Sequence, residues 1–343
     1  MSKGNTLARA FAGLVALLGI TGAGIAACAY YLNTPVTTEN DTVYFTVHKG
    51  ESVSSIASRL EEKGVVRSAL LLSLVSRVNN TSGKFQAGNY LMKRNMTTLD
   101  VHDYFITGSQ ILNRLTIPEG WTTRKIGEHL ERQGITTAAL FQAACTDRLL
   151  LTLLGIPGES AEGYLYPDTY MFPANYPAEE IVKHMVGNFF NVVSSLYPEY
   201  KKLTGEQLHQ KVIIASIVER EYLTPEEAPN MASVFYNRLN ANMRLESCAT
   251  VVYVMTEQEG LPHPRHLYYT DLERPSSYNT YLHRGLPPGP ISNPGRVALD
   301  AAFHPSDTDY WFFVLKGQGA TEHYFSRTLA EHNRAAVLYL KSP

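Results

Sequence analysis

Hydrophobic and polar positions change rhythm several times along the chain, and each change predicts an element. From Ala10 to Leu32 no residue is charged, a run of 23, and a single helix of about 20 apolar residues spans a hydrocarbon core. Phe45–Val66 alternates over a short strand and then shifts to helical spacing at Val53, Ile56 and Leu60; Leu115–Thr136 makes the same shift, with Ile126 and Leu130 in phase. Gln210–Tyr222 is apolar nearly all round, as a buried helix should be, and Met231–Leu239 is amphipathic. Phe312–Val314 (with Trp311) and Thr321–Phe325 read as strands around the loop Lys316-Gly317-Gln318-Gly319, and Thr328–Leu340 reads as a final helix.

The first run divides the chain between compartments. Lys3 and Arg9 precede it, and the next charge of either sign is Glu39. The positive-inside rule therefore keeps residues 1–9 cytoplasmic, makes 10–32 a single-pass helix in the inner (cytoplasmic) membrane, and exports residues 33–343. Tyr30 and Tyr31 stand where an interfacial anchor belongs. Two rival readings stay open. A cleaved signal peptide has a shorter apolar core, of about 7–15 residues. Ile25-Ala26-Ala27-Cys28 also has the form of a lipobox, with Cys28 as the acylated residue. All three put residues 33–343 outside the cytoplasm.

The two strand–helix segments are copies of one unit. Aligned without a gap at an offset of 70, they share Thr46/Thr116, Gly50/Gly120, Ile56/Ile126, Leu60/Leu130, Glu61/Glu131 and Gly64/Gly134. In each, a strand ends in a Gly turn, Ser52 or Thr122 caps the helix, and Gly64 or Gly134 stops it. The opening Val47-His48-Lys49-Gly50-Glu51-Ser52 resembles the LysM type of glycan-binding module; in the second copy Trp121 replaces the acidic residue. The resemblance implies binding of N-acetylated sugars of a wall polymer, and duplication of a packing unit without a ligand is the plainer alternative.

Composition narrows the function classes. The chain has 30 basic and 32 acidic residues, for a net charge of −2. Removing Lys3 and Arg9 leaves 28 against 32, or −4, in the exported part, so no basic excess exists to grip nucleic acid. With 21 Tyr and 13 Phe the chain is built to fold, and three cysteines make no disulfide framework; whether Cys145 and Cys248 are bonded is left open.

Candidate chemistry concentrates after a Pro-, Gly- and Tyr-rich stretch, Gly155–Pro177, where a domain boundary is expected near Gly155. The Gln210–Tyr222 helix ends in two acids, Glu219 and Glu221. At 100° per residue they point about 200° apart and cannot face one cleft. Glu221 continues the apolar stripe of Ile214, Ile217 and Val218, a position that desolvates a carboxyl, raises its pKa and suits it to general-acid work. A structural ion pair with Arg238 or Arg244 is the alternative. Tyr253, Tyr278, Asn279, Tyr281 and Asn293, the last in the rigid Gly285–Gly295 loop, are candidate sugar-binding groups, and Glu246 is a better-placed second acid than Glu219. Cys248 as the nucleophile of a wall-peptide peptidase, with His263, His266 or His283 as base, lacks a local signature, and Cys248 leads into a strand-like run. Gly158–Gly163 misses the serine-hydrolase spacing by one residue. His263-Pro264-Arg265-His266 is broken by its proline, His304, His323 and His332 read as surface or core-edge residues, and no metal or cofactor is implied.

Four motifs in order, Glu162–Tyr170 (EGYLYPDTY), Ala215–Glu221 (ASIVERE), Tyr278–Tyr281 (YNTY) and Gly285–Gly295, resemble the YceG-like family of endolytic murein transglycosylases, over a correspondence that runs from the membrane anchor to the carboxyl end. The family places its essential glutamate at the second acid of the helix motif, Glu221 here. Some members carry Asp-Pro where this chain has Cys248-Ala249, which puts a side-chain role at position 248 in doubt. The resemblance implies scission of MurNAc–GlcNAc bonds in glycan strands to 1,6-anhydro ends, limitation of chain elongation, and cell-wall synthases as neighbours. A non-catalytic glycan-binding scaffold is the reading from a different class. The expected architecture is α+β: a linker at 33–42, a LysM-like module at 43–110, a second repeat with its connection at 111–154, and a catalytic domain at 155–343.

Overall fold

In a computed structural model, residues 19–39, 41–48, 50–107, 112–317 and 319–340 are described. The chain divides into two compact units, residues 1–112 and 113–343. The mixed helices and small sheets agree with the expected α+β class.

In the first unit a helix over residues 19–32 (α1) leads to β1 (Thr42–Val47), α2 (Val53–Glu62), α3 (Ala69–Val78), β2 (Gly88–Lys93) and α4 (Thr98–Thr107). No helix among the described residues is long and apolar enough to cross a membrane. Of the expected span 10–32, residues 10–18 lie outside the described residues. Strands β1 and β2 pair antiparallel, from Thr42 opposite Lys93 to Val47 opposite Gly88. Phe45, Ile56, Leu60, Leu72, Tyr90, Val101 and Phe105 close the core between this sheet and the helices.

The second unit runs β3 (Leu112–Thr116), α5 (Thr123–Arg132), α6 (Ala138–Cys145), α7 (Arg148–Leu153) and β4 (Thr169–Pro173), then α8 (Ala178–Leu196), α9 (Gly205–Val218) and α10 (Ala228–Asn240). It ends with α11 (Cys248–Tyr253), α12 (Arg296–Phe303), the hairpin β5 (Phe312–Leu315) and β6 (His323–Ser326), and α13 (Leu329–Leu340). The second repeat belongs to this unit: Leu115, Ile126 and Leu130 are buried in one cluster with Tyr164, Phe189 and Ile214. The expected boundary near Gly155 falls inside that cluster, because Ile156, Ala161 and Tyr164 are buried there as well. A Pro- and Gly-rich stretch breaks helices but does not forbid burial.

The repeat is visible atom by atom. Ser52 Oγ accepts from the Ser55 N–H and Thr122 Oγ1 from the Lys125 N–H. Both helices end on a left-handed glycine, Gly64 at φ 64° and Gly134 at φ 65°. Both close with a backbone bond back five positions, Val65 N to Leu60 O at 2.9 Å and Ile135 N to Leu130 O at 3.0 Å. One pair of equivalent positions has changed its chemistry. In the first copy Glu51 accepts from Arg59 Nη1 at 2.7 Å. Burial works to raise the Glu51 carboxyl, yet Arg59, the His48 N–H and Ser55 hold it at about 2. In the second copy Trp121 and His129 occupy those positions and meet edge to face, with ring centroids 5.3 Å apart.

Nothing lies within 4 Å of where a Cβ at Gly134 would sit, so its replacement is opposed by backbone conformation alone. Gly134→Ala should lower stability by about 1–2 kcal/mol, and Gly134→Asn by less. Urea unfolding of both variants against the parent chain measures the difference.

Candidate active site

The site is built at the end of α9, a helix buried on every side: Val212, Ile213, Ile214, Ala215, Ile217 and Val218 are each at most 3% exposed. A capping box starts it, with Thr204 Oγ1 accepting from the Gln207 N–H and Gln207 returning the bond. The sequence extends this helix to Tyr222; its regular part stops at Val218, and residues 219–221 form a turn in which the Glu221 N–H bonds Val218 O at 3.0 Å. The chain leaves the core here carrying Glu219, Arg220 and Glu221, and each finds a different partner.

Glu219 Oε2 accepts from the Gly295 N–H at 2.9 Å. Burial pushes its carboxyl up to about 7, against the Gly295 bond and with help from Glu119. Arg220 Nη1 donates to Gly120 O at 3.2 Å. Glu221 Oε1 accepts from Ser247 Oγ at 2.5 Å. Burial raises the Glu221 carboxyl, while the Ser247 hydroxyl and the Ala249 N–H work in the opposite sense. Burial thus disfavours the charged form of both acids, and position separates them. Glu221 opens on a cleft of about 390 Å³ lined also by Arg238, Glu246, Cys248, Tyr281 and Phe313, whereas Glu219 is not among its lining residues.

The ion-pair alternative for Glu221 does not hold. Arg238 Nε donates to Trp311 O at 2.7 Å and Nη1 to Leu245 O at 2.9 Å, and its carboxylate partner is Glu246 at 3.3 Å. No ion pair joins Glu221 to Arg238 or Arg244 among the described residues. Glu246 adopts a left-handed backbone conformation, φ 51°, which turns it toward the same cleft.

Ser247 is held by the YNTY segment. Its N–H donates to Thr280 Oγ1 at 3.0 Å, and Thr250 Oγ1 bonds both Ser247 O at 2.8 Å and Thr280 Oγ1 at 2.9 Å. Residues 248–253 form a helix continued by a π-turn at Val254–Gln258, not the strand that the β-branched Val251 and Val252 suggest. Packing at fully buried Val251 and Thr250 overrides that preference.

The expected sugar-binding residues divide into three groups. Tyr281 shares the cleft with Glu221, its hydroxyl 3.1 Å from Cys248 Sγ. Tyr253 and Tyr278, ring centroids 5.1 Å apart, line a different cleft of about 580 Å³ with Glu162 and His209. Asn279 and Asn293 are wholly buried and bonded to protein. Asn279 Nδ2 donates to Leu272 O and Arg274 O, each at 2.9 Å, and its Oδ1 accepts from the Tyr281 N–H at 3.0 Å. Asn293 Oδ1 accepts from the Gly163 and Leu165 N–H groups, each at 2.9 Å, while Nδ2 donates to Trp121 O at 2.9 Å and Glu162 Oε1 at 2.8 Å. Two asparagines that composition assigns to a ligand are used to hold loops.

Two further carboxyls, Glu162 at the head of the EGYLYPDTY motif and Glu227, have parts that no sequence signal assigns. Glu162 is buried, accepts from the Thr123 N–H through both oxygens at 3.1 and 3.0 Å, and is pushed by burial up to about 8. Glu227 accepts from the Leu223 N–H at 2.6 Å, the His323 N–H at 3.0 Å and His323 Nδ1 at 3.0 Å. Burial acts to raise Glu227, but these bonds leave it below the ordinary carboxylate value. It ties the turn after Glu221 to β6. In sequence neither has a neighbour that marks it, since the partners lie 39 and 96 positions away.

Burial pushes the Cys248 thiol up, against the bond from Tyr281, which does not favour the thiolate that a cysteine peptidase needs. Cys28, Cys145 and Cys248 are all free thiols. No group of three or more His, Cys, Asp or Glu suited to a metal occurs among the described residues.

The description of the YceG-like family matches residues 45–337. The chain is 32% identical over 319 residues to the endolytic murein transglycosylase of Bacillus subtilis (strain 168), covering 88% of this chain and 86% of that protein. It is 29% identical over 335 residues to the endolytic murein transglycosylase of Streptococcus pneumoniae serotype 2 (strain D39), covering 88% of this chain and 60% of that one. The 2.6 Å crystal structure of a yceG-like protein from Listeria monocytogenes superposes with a TM-score of 0.57 at 32% identity, over 86% of this chain and 99% of that chain.

A buried acid whose carboxyl is raised on folding makes stability fall as pH climbs, since only the unfolded state sheds its proton. For Glu162 that window runs from its ordinary 4.5 to about 8, and for Glu219 from 4.5 to about 7. Glu162→Gln should flatten the loss of stability between about 7 and about 8, measured as urea midpoints across that range.

Proposed function

The chain belongs to the YceG-like family, and we propose on that premise that Glu221 is the acid–base residue of a peptidoglycan lytic transglycosylase. The observation that carries the assignment is a carboxyl raised by burial, opening on a cleft and gripped by Ser247 at 2.5 Å. A group of that kind enters the reaction protonated. It donates to the glycosidic oxygen between N-acetylmuramic acid and N-acetylglucosamine as the C–O bond breaks, which develops oxocarbenium character at the anomeric carbon. As the carboxylate it then accepts the proton of the muramic acid 6-hydroxyl, whose oxygen closes on the anomeric carbon to give the 1,6-anhydro end. One carboxyl performs both steps. Glu246, in the same cleft and paired to Arg238, is the second acid available to balance charge, and Tyr281 is the aromatic group beside it.

Cutting inside nascent strands would limit glycan elongation, and would place the enzyme beside wall synthases. The apolar run 10–32 is read as the anchor in the cytoplasmic membrane, with the enzyme on its outer side. Its described part, α1, is helical and exposed, with Ile20 and Ile25 at 71% and 72%. The two strand–helix copies are read as LysM-like modules that hold glycan. Deleting residues 43–110 should then weaken pull-down by insoluble murein.

Glu221→Gln should lower anhydro-ended products by about 10²–10⁴-fold, while Glu219→Gln largely keeps them; muropeptide chromatography of digests by both variants reads this out, and an active Glu221→Gln chain would refute the assignment. Because Ser247 lowers the Glu221 pKa, Ser247→Ala should move the high-pH loss of kcat/KM to still higher pH.

A further inference from the structure

The first unit carries an apolar surface that its own core leaves uncovered. Along α3, Leu70, Leu74 and Val78 are 69%, 47% and 78% exposed. Their spacing of four residues puts them on one face. At the start of α4, Leu99 is 45% exposed. The ten residues of α3 contain no carboxylate, and the one charge on its exposed side is Arg77. Asp100 follows Leu99, but its carboxylate turns back to the Thr97 N–H at 2.9 Å and hydroxyl at 2.7 Å. The α3 stripe itself, with a cation and no anion, suits the boundary between lipid headgroups and acyl chains.

The position of this surface relative to α1 identifies its occupant. Arg67, two residues before α3, donates through Nε to Thr34 Oγ1 at 3.0 Å and through Nη2 to Pro35 O at 2.8 Å, and its guanidinium lies 5.0 Å from the Tyr31 ring centre. The first turn of α4 is tied to the same place: Thr98 Oγ1 donates to Leu32 O at 3.1 Å and the Leu99 N–H to Asn33 Oδ1 at 3.0 Å. The starts of both helices that expose leucines are thus bonded to the residues where the apolar α1 ends. These bonds join residues 32–35, at the end of α1, directly to Arg67, Thr98 and Leu99, so a membrane that receives α1 meets α3 and α4 next.

We propose that the Leu70, Leu74, Val78 and Leu99 surface rests in the outer face of the bilayer that holds α1, fixing the module's orientation on the membrane. The proposal rests on the anchoring reading above. It gives Arg67 a definite task, to make anchor and module one rigid piece, and it means that substrate reaches this module along the membrane surface.

The test uses the full chain reconstituted in lipid nanodiscs, with tryptophan probes quenched by brominated acyl chains. Trp121 and Trp311 supply a background that is subtracted with the parent chain. Leu74→Trp and Val78→Trp, both at exposed positions that tolerate the larger ring, should lose most of their added emission. Glu62→Trp, on the exposed side of α2, should lose almost none. Ile25→Trp reports on the anchor independently. Quenching at Ile25 but not at positions 74 and 78 overturns the surface assignment alone, including the case in which the probes are shielded from water by a second copy or another protein. Equal quenching at Glu62 and Leu74 overturns it too, and absence of quenching at Ile25 removes the anchor and the proposal together.

Discussion

Helix α9 is buried on all sides, and its chain must leave the core through a turn that carries three charged residues in a row. In a low-dielectric interior each of these groups is costly unless a hydrogen bond meets it. The second unit meets them one at a time: the Gly295 N–H takes Glu219, the Gly120 carbonyl takes Arg220, and the Ser247 hydroxyl takes Glu221. Those three partners come from the end of the Pro-Gly loop, from the turn of the second repeat and from the start of α11. One local requirement, satisfying the end of a buried helix, therefore assembles segments from positions 120 to 295 into one body. The reactivity proposed for Glu221 comes from the same cost: it is the one acid of the turn that both feels the interior and opens on a cleft.

The supports behind these partners are polar and wholly buried. Asn293 uses both ends of its amide to join Gly163, Leu165, Trp121 and Glu162, and Asn279 does the same for the 272–281 loop. Such networks are rigid because any loosened member leaves an unpaired group in the interior. Gly163, at φ 86°, must stay without a Cβ, which would lie 2.5 Å from Pro290. The loop motifs thus preserve geometry around the cleft, and the cleft itself is lined by fewer of their side chains than composition suggests.

Much of the local structure was legible in the residues. The duplicated unit follows from its caps and stops, since a Ser or Thr before a helix and a Gly after it act within a few residues of where they stand. The hairpin at 312–326, the α10 and α13 helices and the buried character of α9 follow from periodicity for the same reason. The equivalence of Glu51–Arg59 and Trp121–His129 was half legible. Alignment shows the substitution of Trp121, and only side-chain placement shows that a ring contact replaces an ion pair.

The sequence by itself determined the caps and stops of the repeated strand–helix unit, that this unit occurs twice, and that Glu219 and Glu221 follow a helix too apolar for the surface, because all of these are set by neighbours within a turn or two. Tertiary structure alone decided which residues meet the acids. Ser247 lies 26 positions from Glu221, and Asn293 lies 131 from Glu162. It also decided that 248–253 is helical against its β-branched residues, that the second repeat belongs to the larger core, and that Asn279 and Asn293 serve the protein. Burial and long-range hydrogen bonding exist only once the chain has closed on itself, and burial is what raises the carboxyls of Glu162, Glu219 and Glu221.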